Sequence, residues 1–231
     1  MSEPIIGILL AAGVSRRMGM NKLALPLGNT TIGGASLESA LSSRLDHTVV
    51  VGKKECEVSW IPPAFFRKES WSYIQCEEAS RGQAHSLACG LRAAEKMNAR
   101  AAVILLADQP FAQAALINRA IGAYNKTEMP FVASRWNDVP RPPVLFSRRL
   151  FSVLQGLQGD RGAGSLLKHP LFAEQGIMLD YEAYRPFFDI DTLNDYQQAA
   201  GRGWDEYTNA GADGCMAAKK PGRSMVFEGR A

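Results

Sequence analysis

Three basic residues follow a short glycine-containing loop near the start of the chain, an arrangement that favours phosphate binding. Residues 5–10 form an apolar run, typical of a parallel strand covered on both faces. Small side chains at residues 11–13 would let backbone N–H groups approach an anion closely. Arg16 and Arg17 offer planar donor forks, and Lys22 offers a mobile point charge for a triphosphate. The segment predicts a nucleotide phosphate site, although a tight turn that binds nothing explains the same glycine.

Two common phosphate motifs are excluded by the spacing of this loop. The GxxxxGK pattern fails because Met18 stands where its second glycine is needed. The GxGxxG pattern fails because position 15 is serine.

Carboxylates at two places in the chain are candidate ligands for Mg²⁺. Asp108 follows the apolar run 103–106, so it should leave the end of a buried strand. Asp189 and Asp191 alternate, and a short strand there would place both on one face. We expect Asp108 and Asp191 to hold the metal, with Asp189 as the second choice. Helix capping by Asp108, or a helix start at Asp191, is the structural alternative.

A third candidate segment precedes a predicted helix. Gly82 and Gln83 stand just before a helix that we expect to start near Ala84. Such an N-terminus suits contact with a ribose or a base edge. A capped surface helix explains the same residues.

The elements that position these residues alternate between strand and helix up to about residue 200, which predicts a mostly parallel sheet flanked by helices. In such a sheet, ligands bind outside the carboxyl ends of the strands, where the first loop and Asp108 lie. The predicted strands cover residues 6–11, 48–52, 73–76, 102–107, 130–134 and 177–180.

The composition is typical of a globular protein. Its 231 residues predict one α/β domain over residues 1–200, and residues 201–231, with six glycines, predict a loosely attached or partly disordered tail. A net charge of +3 gives no reason to expect nucleic-acid binding. The apolar run 5–12 is too short for a membrane span and follows no signal-peptide pattern, so we expect a cytoplasmic protein without membrane partners.

The cysteines predict neither a zinc site nor a redox motif. Cys56, Cys76, Cys89 and Cys215 form no CxxC pair. We therefore expect them to be reduced and mostly structural.

The motifs taken together resemble one family. The string LAAGxSxRMGxxK at residues 10–22 is similar to the signature of the molybdenum cofactor nucleotidyltransferases, among the MobA-like NTP transferases, and within them to the cytidylyltransferase branch. The guanylyltransferase branch usually reads LAGG at this point. Four further segments occur in the family's order, GxxxSLxxGL at 82–91, LADQP at 106–110, PPVLF at 142–146 and GDRGA at 159–163. DIDT at 189–192 is similar to a family motif, with Asn194 in place of its usual continuation.

The resemblance implies a glycosyltransferase-A-like, Rossmann-like three-layer α/β/α fold with a mostly parallel mixed sheet. It implies CMP transfer from CTP to the molybdenum-pterin cofactor with Mg²⁺, for molybdenum hydroxylases such as xanthine dehydrogenase. Arg17, Lys22 and Asp108 would be catalytic, with Asp108 and Asp191 on the metal. The nucleotide would contact Leu10, Ala11, Ala12, Gly13, Ser15, Arg16, Gly82, Gln83 and Ser86. Arg141, Asp160 and Arg161 would lie on the pterin side.

Two other functions fit the same residues. One is a nucleotidyltransferase acting on a sugar phosphate or polyol phosphate. The other is a non-catalytic protein that carries the cofactor to an apo molybdenum hydroxylase.

Overall fold

The computed structural model describes residues 3–13, 18–53, 58–159, 162–168, 172 and 174–201. Its strands are β1 (Ile5–Leu10), β2 (Pro26–Leu27), β3 (Thr30–Thr31), β4 (His47–Gly52), β5 (Trp71–Gln75), β6 (Ala101–Leu106), β7 (Phe131–Trp136), β8 (Val139–Ser147) and β9 (Ile177–Asp180).

The α-helices within these residues are α1 (Ile32–Leu41), α2 (Gln83–Lys96), α3 (Ala114–Thr127), α4 (Phe151–Gln155), α5 (Gly164–Leu167) and α6 (Leu193–Ala200). Short 3₁₀ turns cover Lys22–Ala24, Pro63–Arg67, Glu77–Arg81, Arg148–Leu150 and Arg185–Phe187.

A seven-stranded mixed sheet with the order β5-β4-β1-β6-β8-β7-β9 forms the centre of the molecule. Strands β5, β4, β1 and β6 pair in parallel, as do β7 and β9. Strand β8 runs antiparallel to both of its neighbours. The predicted α/β class with a mostly parallel mixed sheet is confirmed.

Alternating side chains of β1 explain why helices cover both faces of the sheet. Ile5 and Leu9 belong to one buried cluster, which also contains residues of α1 and α3. Ile6 and Ile8 belong to the other, with residues of α2, α4 and α5. Because every residue of β1 is buried, the strand is apolar throughout rather than in alternation. The result is the predicted three-layer arrangement.

The order of the strands creates a switch point beside β1. The chain passes from β1 to β4 and β5 on one side, and then returns to β6 on the other. The loops that leave β1 and β6 therefore diverge, which opens a crevice at the carboxyl ends of these two strands. The N–H of Ala107 donates to the carbonyl oxygen of Leu10 at 3.1 Å and joins the two loops at their base.

Strand β8 was not predicted from the sequence, because Pro140, Pro142 and Pro143 are atypical of an interior strand. The structure explains how they are accommodated. From Val144 onward β8 pairs with both β6 and β7, whereas its proline-containing first half pairs with β7 alone. Since proline cannot donate a backbone hydrogen bond, this half leaves the side facing β6 open.

The predicted strand ends, the predicted alternation of Asp189 and Asp191 and the predicted domain division have different outcomes. Strand β5 begins at Trp71, two residues before the predicted start, and β7 extends to Trp136. Residues 188–191 form no strand, so the alternation expected for Asp189 and Asp191 is wrong. The division into a domain of residues 1–200 and a tail stays a prediction, since residues 202–231 lie outside the described residues.

The expectation that all four cysteines are reduced is wrong for two of them. Cys76, just after β5, and Cys89, on α2, form a disulfide with a Cα–Cα distance of 6.0 Å. No sequence motif indicates this pair, because the packing of α2 against the sheet brings the two positions together. Cys56 and Cys215 lie outside the described residues.

None of the helices in the described part of the chain has the length and apolarity needed to cross a membrane.

Candidate active site

A cavity of about 420 Å³ lies in the crevice at the switch point. Its walls come from the loops after β1 and β6, from the 3₁₀ turn before α2 and from the first turn of α2. The lining residues that the sequence predicts for the site are Leu10, Ala11, Ala12, Gly13, Lys22, Gly82, Gln83, Ser86 and Asp108. Segments far apart in the sequence therefore meet in one place.

The ammonium group of Lys22 joins two carboxylates at one edge of this cavity. Its Nζ lies 2.7 Å from Oδ2 of Asp108 and 2.8 Å from Oδ1 of Asp191. Lys22 is the first residue of a 3₁₀ turn, and the side chain of Asn21 accepts from the N–H of Leu23 to cap that turn. The lysine is only 7% exposed, so its charge is directed into the site rather than into solvent.

The pKa of Lys22 is raised above its ordinary value despite the burial. Burial is the largest single effect and by itself would lower the pKa of the ammonium. The charges of Asp108 and Asp191, together with their hydrogen bonds, outweigh it. Lys22 therefore stays a cation held between two anions.

Neither Asp108 nor Asp191 is the N-cap of a helix. Asp108 does not cap a helix, since α3 begins only at Ala114 and its N-cap is Gln113. Asp191 precedes the capping box of α6, in which Thr192 and Asp195 satisfy each other's backbone N–H groups. The N–H of Asp191 also donates to Oδ2 of Asp195 at 3.1 Å. The helix start expected here is real, but Thr192 performs the capping and Asp191 faces Lys22.

A second cavity, of about 620 Å³, adjoins the first. Leu10, Gln83 and Leu106 line both cavities. The open first half of β8 contributes Val139 and Arg141 to the second cavity. A pair of joined cavities of this kind suits a reaction between two bound molecules.

Asp189 lies in the second cavity and not on the Lys22 ammonium. Its Oδ1 accepts from Nε2 of Gln109 at 2.8 Å, and its Oδ2 lies 4.0 Å from Nη1 of Arg141. Burial, reinforced by the negative charge of Asp108, raises the pKa of Asp189 to about 6, and the Gln109 hydrogen bond only partly opposes this. The two aspartates of the DIDT segment therefore occupy different environments.

Arg141 is surrounded by aromatic rings at the wall of the second cavity. Its guanidinium carbon lies 5.8 Å from the ring centroid of Trp136 and 5.5 Å from that of Tyr184. The two rings pack against each other with centroids 4.6 Å apart. Cation–π contacts of this kind hold an arginine in place while its N–H groups remain donors. Arg141 is thus a positioned cation that faces the second cavity.

The N-terminus of α2 separates the two cavities. Gly82 has φ of +125° and ψ of 168°, a conformation open essentially to glycine alone. Gln83 follows as the first residue of the helix, and Ser86 lies buried one turn later. A Cβ on Gly162 would lie 2.5 Å from Oε1 of Gln83, so the glycine permits this close approach.

Five residues selected from the sequence lie outside the described residues, namely Ser15, Arg16, Arg17, Asp160 and Arg161. Their assigned roles stay predictions. Gln109, Trp136 and Tyr184 line or border the second cavity and were not predicted from the sequence. Gln109 directly follows Asp108 at a strand end, and that position was a usable signal. Nothing in the sequence indicated the two aromatic residues.

The fixed charges of this site suit the binding of anionic substrates. The buried Lys22 and the carboxylate of Asp108 line one cavity, Asp191 contacts the same ammonium, and the positioned Arg141 lines the other cavity. Within the described residues, no group of three or more histidine, cysteine, aspartate or glutamate side chains is placed to hold a metal ion.

Fold and site together define an α/β nucleotidyltransferase. The chain belongs to the family of MobA-like NTP transferase domains, whose profile matches residues 7–175. The purine catabolism protein PucB of Bacillus subtilis (strain 168) is 43% identical over 202 residues, which cover 84% of this chain and 95% of that protein.

Solved structures agree with this assignment. Rv0371c from Mycobacterium tuberculosis H37Rv superimposes with a TM-score of 0.68 at 27% identity, covering 87% of this chain and 98% of that one. A nucleotidyl transferase from Methanothermobacter thermautotroptrophicus, Mth528, has a TM-score of 0.71 at 19% identity and covers 90% of this chain and all of its own (100%). The second likeness supports the fold alone.

Proposed function

We propose that this protein transfers CMP from CTP to the molybdenum-pterin cofactor, releasing pyrophosphate and forming the cytosine dinucleotide cofactor. The observation that carries the proposal is the meeting of Lys22, Asp108 and Asp191 at the edge of one of two joined cavities. In this proposal the first cavity receives the nucleotide and the second receives the pterin.

The choice of CTP and of the pterin acceptor is supported by sequence likeness. Ala11, Ala12 and Gly13 follow the pattern of the cytidylyltransferase branch, and all three line the first cavity. PucB, described as a purine catabolism protein, is a relative at 43% identity. A recipient among the molybdenum hydroxylases, such as xanthine dehydrogenase, is consistent with that description.

Asp108 and Asp191 fit the requirements of Mg²⁺. Their carboxylates already surround one cation, the Lys22 ammonium, at 2.7 and 2.8 Å. Mg²⁺ commonly takes one or two carboxylates and completes its shell with water and substrate phosphates, so a two-carboxylate site is sufficient. Rv0371c has been crystallised in complex with manganese. When bound, a divalent ion would neutralise charge on the phosphates and on the departing pyrophosphate.

Positioning and charge neutralisation account for the remaining catalysis. Lys22 would bind oxygens of the triphosphate as its ammonium shifts from the carboxylates, and Arg17 would act beside it. Backbone N–H groups of the loop at residues 11–13 would hold the phosphates. Arg141, fixed by Trp136, would hold the anionic acceptor in line with the α-phosphate.

A general base is not required by this chemistry. The attacking group is a terminal phosphate of the acceptor, which is ionised at neutral pH. The site accordingly needs alignment of two anions more than proton transfer, and this agrees with its cations and its two cavities.

We further propose a cytoplasmic location, where CTP and the cofactor are available, and no nucleic-acid or membrane partner.

Pyrophosphate release tests the function directly. CTP, GTP, ATP and UTP are supplied in turn with Mg²⁺ and molybdenum-loaded pterin cofactor, and we expect release with CTP alone. Release only with sugar or polyol phosphates as acceptors would select that class of transferase. Cofactor binding without release from any nucleotide would place the protein among carriers, and either outcome would overturn the proposal.

A further inference from the structure

The disulfide between Cys76 and Cys89 encloses a wall of the first cavity. The chain between the two cysteines contains the 3₁₀ turn Glu77–Arg81, Gly82 and the first turns of α2. Residues 79–83 and Ser86 all line the cavity. The covalent bond therefore joins the two ends of the segment that the nucleotide would contact.

The two sulfur atoms differ in their access to solvent. Cys76 is 1% exposed, and its Sγ lies 3.5 Å from the carbonyl oxygen of His85. Cys89 is half-buried and lines a third cavity, of about 380 Å³, between edge strand β5 and α2. A thiol arriving from outside therefore reaches Cys89 first.

The cavity beside Cys89 is positively charged. Arg92 and Lys96 line it, on the same face of α2 as the cysteine, and no acidic residue is among the described residues that line it. Nη2 of Arg92 lies 3.3 Å from Sγ of Cys89 and donates to it. A nearby guanidinium stabilises a thiolate and attracts a negatively charged thiol.

We infer that Cys76 and Cys89 form a reversible thiol–disulfide exchange site, opened by a small anionic thiol that binds beside Arg92 and Lys96. Glutathione, with its carboxylates, is a suitable probe of this chemical class. The site is independent of the proposed transfer reaction, although its effect on nucleotide binding rests on the proposed function.

The disulfide is reduced in two exchange steps. The thiolate of the incoming molecule attacks Sγ of Cys89, forming a mixed disulfide and releasing Cys76 as a thiolate. That thiolate takes up a proton and can then donate to the carbonyl oxygen of His85. A second thiolate attacks the sulfur of the bound thiol, which releases Cys89 and an oxidised disulfide of the small thiol. Two thiols are oxidised and one protein disulfide is reduced.

Opening the bond removes a constraint on residues 77–88. These residues would then have to be ordered when the nucleotide binds, which lowers affinity. We expect CTP to bind about three- to tenfold more weakly to the reduced chain than to the oxidised chain.

The first test detects thiol–disulfide exchange by mass spectrometry, in the absence of nucleotide. The full chain, prepared without reductant, is exposed to glutathione or to uncharged 2-mercaptoethanol at equal thiolate concentration, and free cysteines are alkylated and located by peptide mass spectrometry. We expect Cys76 and Cys89 to become labelled together. We also expect the preference for glutathione to fall at least about threefold in an Arg92→Gln, Lys96→Gln variant. A variant with Lys126→Gln and Arg149→Gln, exposed cations elsewhere, should keep the preference.

Two results would overturn the inference. One is a chain in which Cys76 and Cys89 are already free before any thiol is added. The other is an equal preference for glutathione in the two double variants. Neither result depends on nucleotide chemistry, so a failure of the proposed function would be seen separately, as absence of CTP binding in both redox forms. Equal CTP affinity of the oxidised and reduced chains would remove the link to the nucleotide cavity.

Discussion

The backbone N–H of Ile190 donates to the carbonyl oxygen of Asp108 at 3.0 Å. This bond joins the loop after β6 to the segment before α6, two regions that are distant in the sequence. Because both partners are main-chain groups, it fixes the spacing of the segments independently of their side chains. The carboxylates of Asp108 and Asp191 therefore approach the Lys22 ammonium from two sides, and variants at these residues test the proposed site.

Replacing Asp108 with asparagine should abolish most turnover without unfolding the protein. The amide keeps the size of the side chain but removes the charge proposed to hold the metal. We expect pyrophosphate release to fall on the order of 10² to 10³-fold, as for loss of one preorganised charge. Steady-state release with CTP and the pterin cofactor measures the loss, and thermal unfolding checks the fold. Glu38→Gln, at an exposed position on α1, is the control. Turnover close to wild type would remove Asp108 from the proposed mechanism.

Replacing Lys22 with methionine should strengthen the binding of a divalent cation in the absence of nucleotide. The ammonium already lies within 2.8 Å of both carboxylates and repels a second cation. Removing it should increase Mn²⁺ affinity about tenfold by electrostatics alone, while turnover falls. Calorimetric titration with Mn²⁺ measures the affinity, and Lys22→Arg, which keeps the charge, should bind Mn²⁺ as weakly as wild type. An unchanged Mn²⁺ affinity in the methionine variant would argue against a metal between Asp108 and Asp191.

The raised pKa of Asp189 predicts a pH-dependent effect on stability. Its pKa is about 6 in the folded protein against 3.8 as the ordinary value, mainly because of burial. Between these values the unfolded chain releases a proton that the folded chain retains, so the stability linked to this group is lost as pH rises towards 6. Asp189→Asn should therefore raise the melting temperature at pH 7.5 relative to wild type and leave it nearly unchanged at pH 4.

Melting temperatures of Asp189→Asn and wild type, measured at pH 7.5 and at pH 4, test this prediction. Asp138→Asn, at an exposed turn with positive φ, is the matched control and should show no such difference. An equal shift at both pH values would mean that titration of Asp189 does not cause the effect.

Substituting Gly82 should disturb both the fold and the first cavity. At φ of +125°, alanine is strained, and we expect a loss of about 1–3 kcal/mol in the free energy of unfolding. The KM for CTP should rise because the helix start at Gln83 shifts. Gly122→Ala is the opposite case, since Gly122 lies within α3 and a Cβ there meets nothing within 4 Å. That variant should be stabilised slightly. Similar denaturation midpoints for the two variants would contradict this account.

Replacing Arg141 should weaken binding of the acceptor and leave binding of the nucleotide nearly unchanged. It borders the second cavity but not the first. For Arg141→Gln we expect the KM for the pterin cofactor to rise about tenfold, typical of losing a charge-assisted hydrogen bond, with the KM for CTP nearly unchanged. Initial rates at varied concentrations of each substrate separate the two constants. Arg149→Gln, at an exposed position, serves as control. A rise in the KM for CTP alone would reverse the assignment of the cavities.

Much of the fold could be predicted because its signals are local. The apolar run of β1 and the helix start expected near Ala84 depend on neighbouring residues, and both elements begin within one residue of the expected position. Strand β8 could not be predicted, because its three prolines are tolerated only where one side of the strand is left unpaired. The Cys76–Cys89 pair was missed for a related reason, since sequence spacing contains no information about the packing of α2 against β4 and β1.

The sequence by itself determined the class of fold, the family and most of the residues that line the first cavity. These follow from residue types and from the rule that parallel strands place their carboxyl ends at one edge. Tertiary structure alone decided that Lys22 joins Asp108 to Asp191, and that Asp189 turns instead towards Gln109 and Arg141. Such pairings depend on distances of a few ångströms between segments far apart in the chain, and only the packing of the whole domain sets those distances.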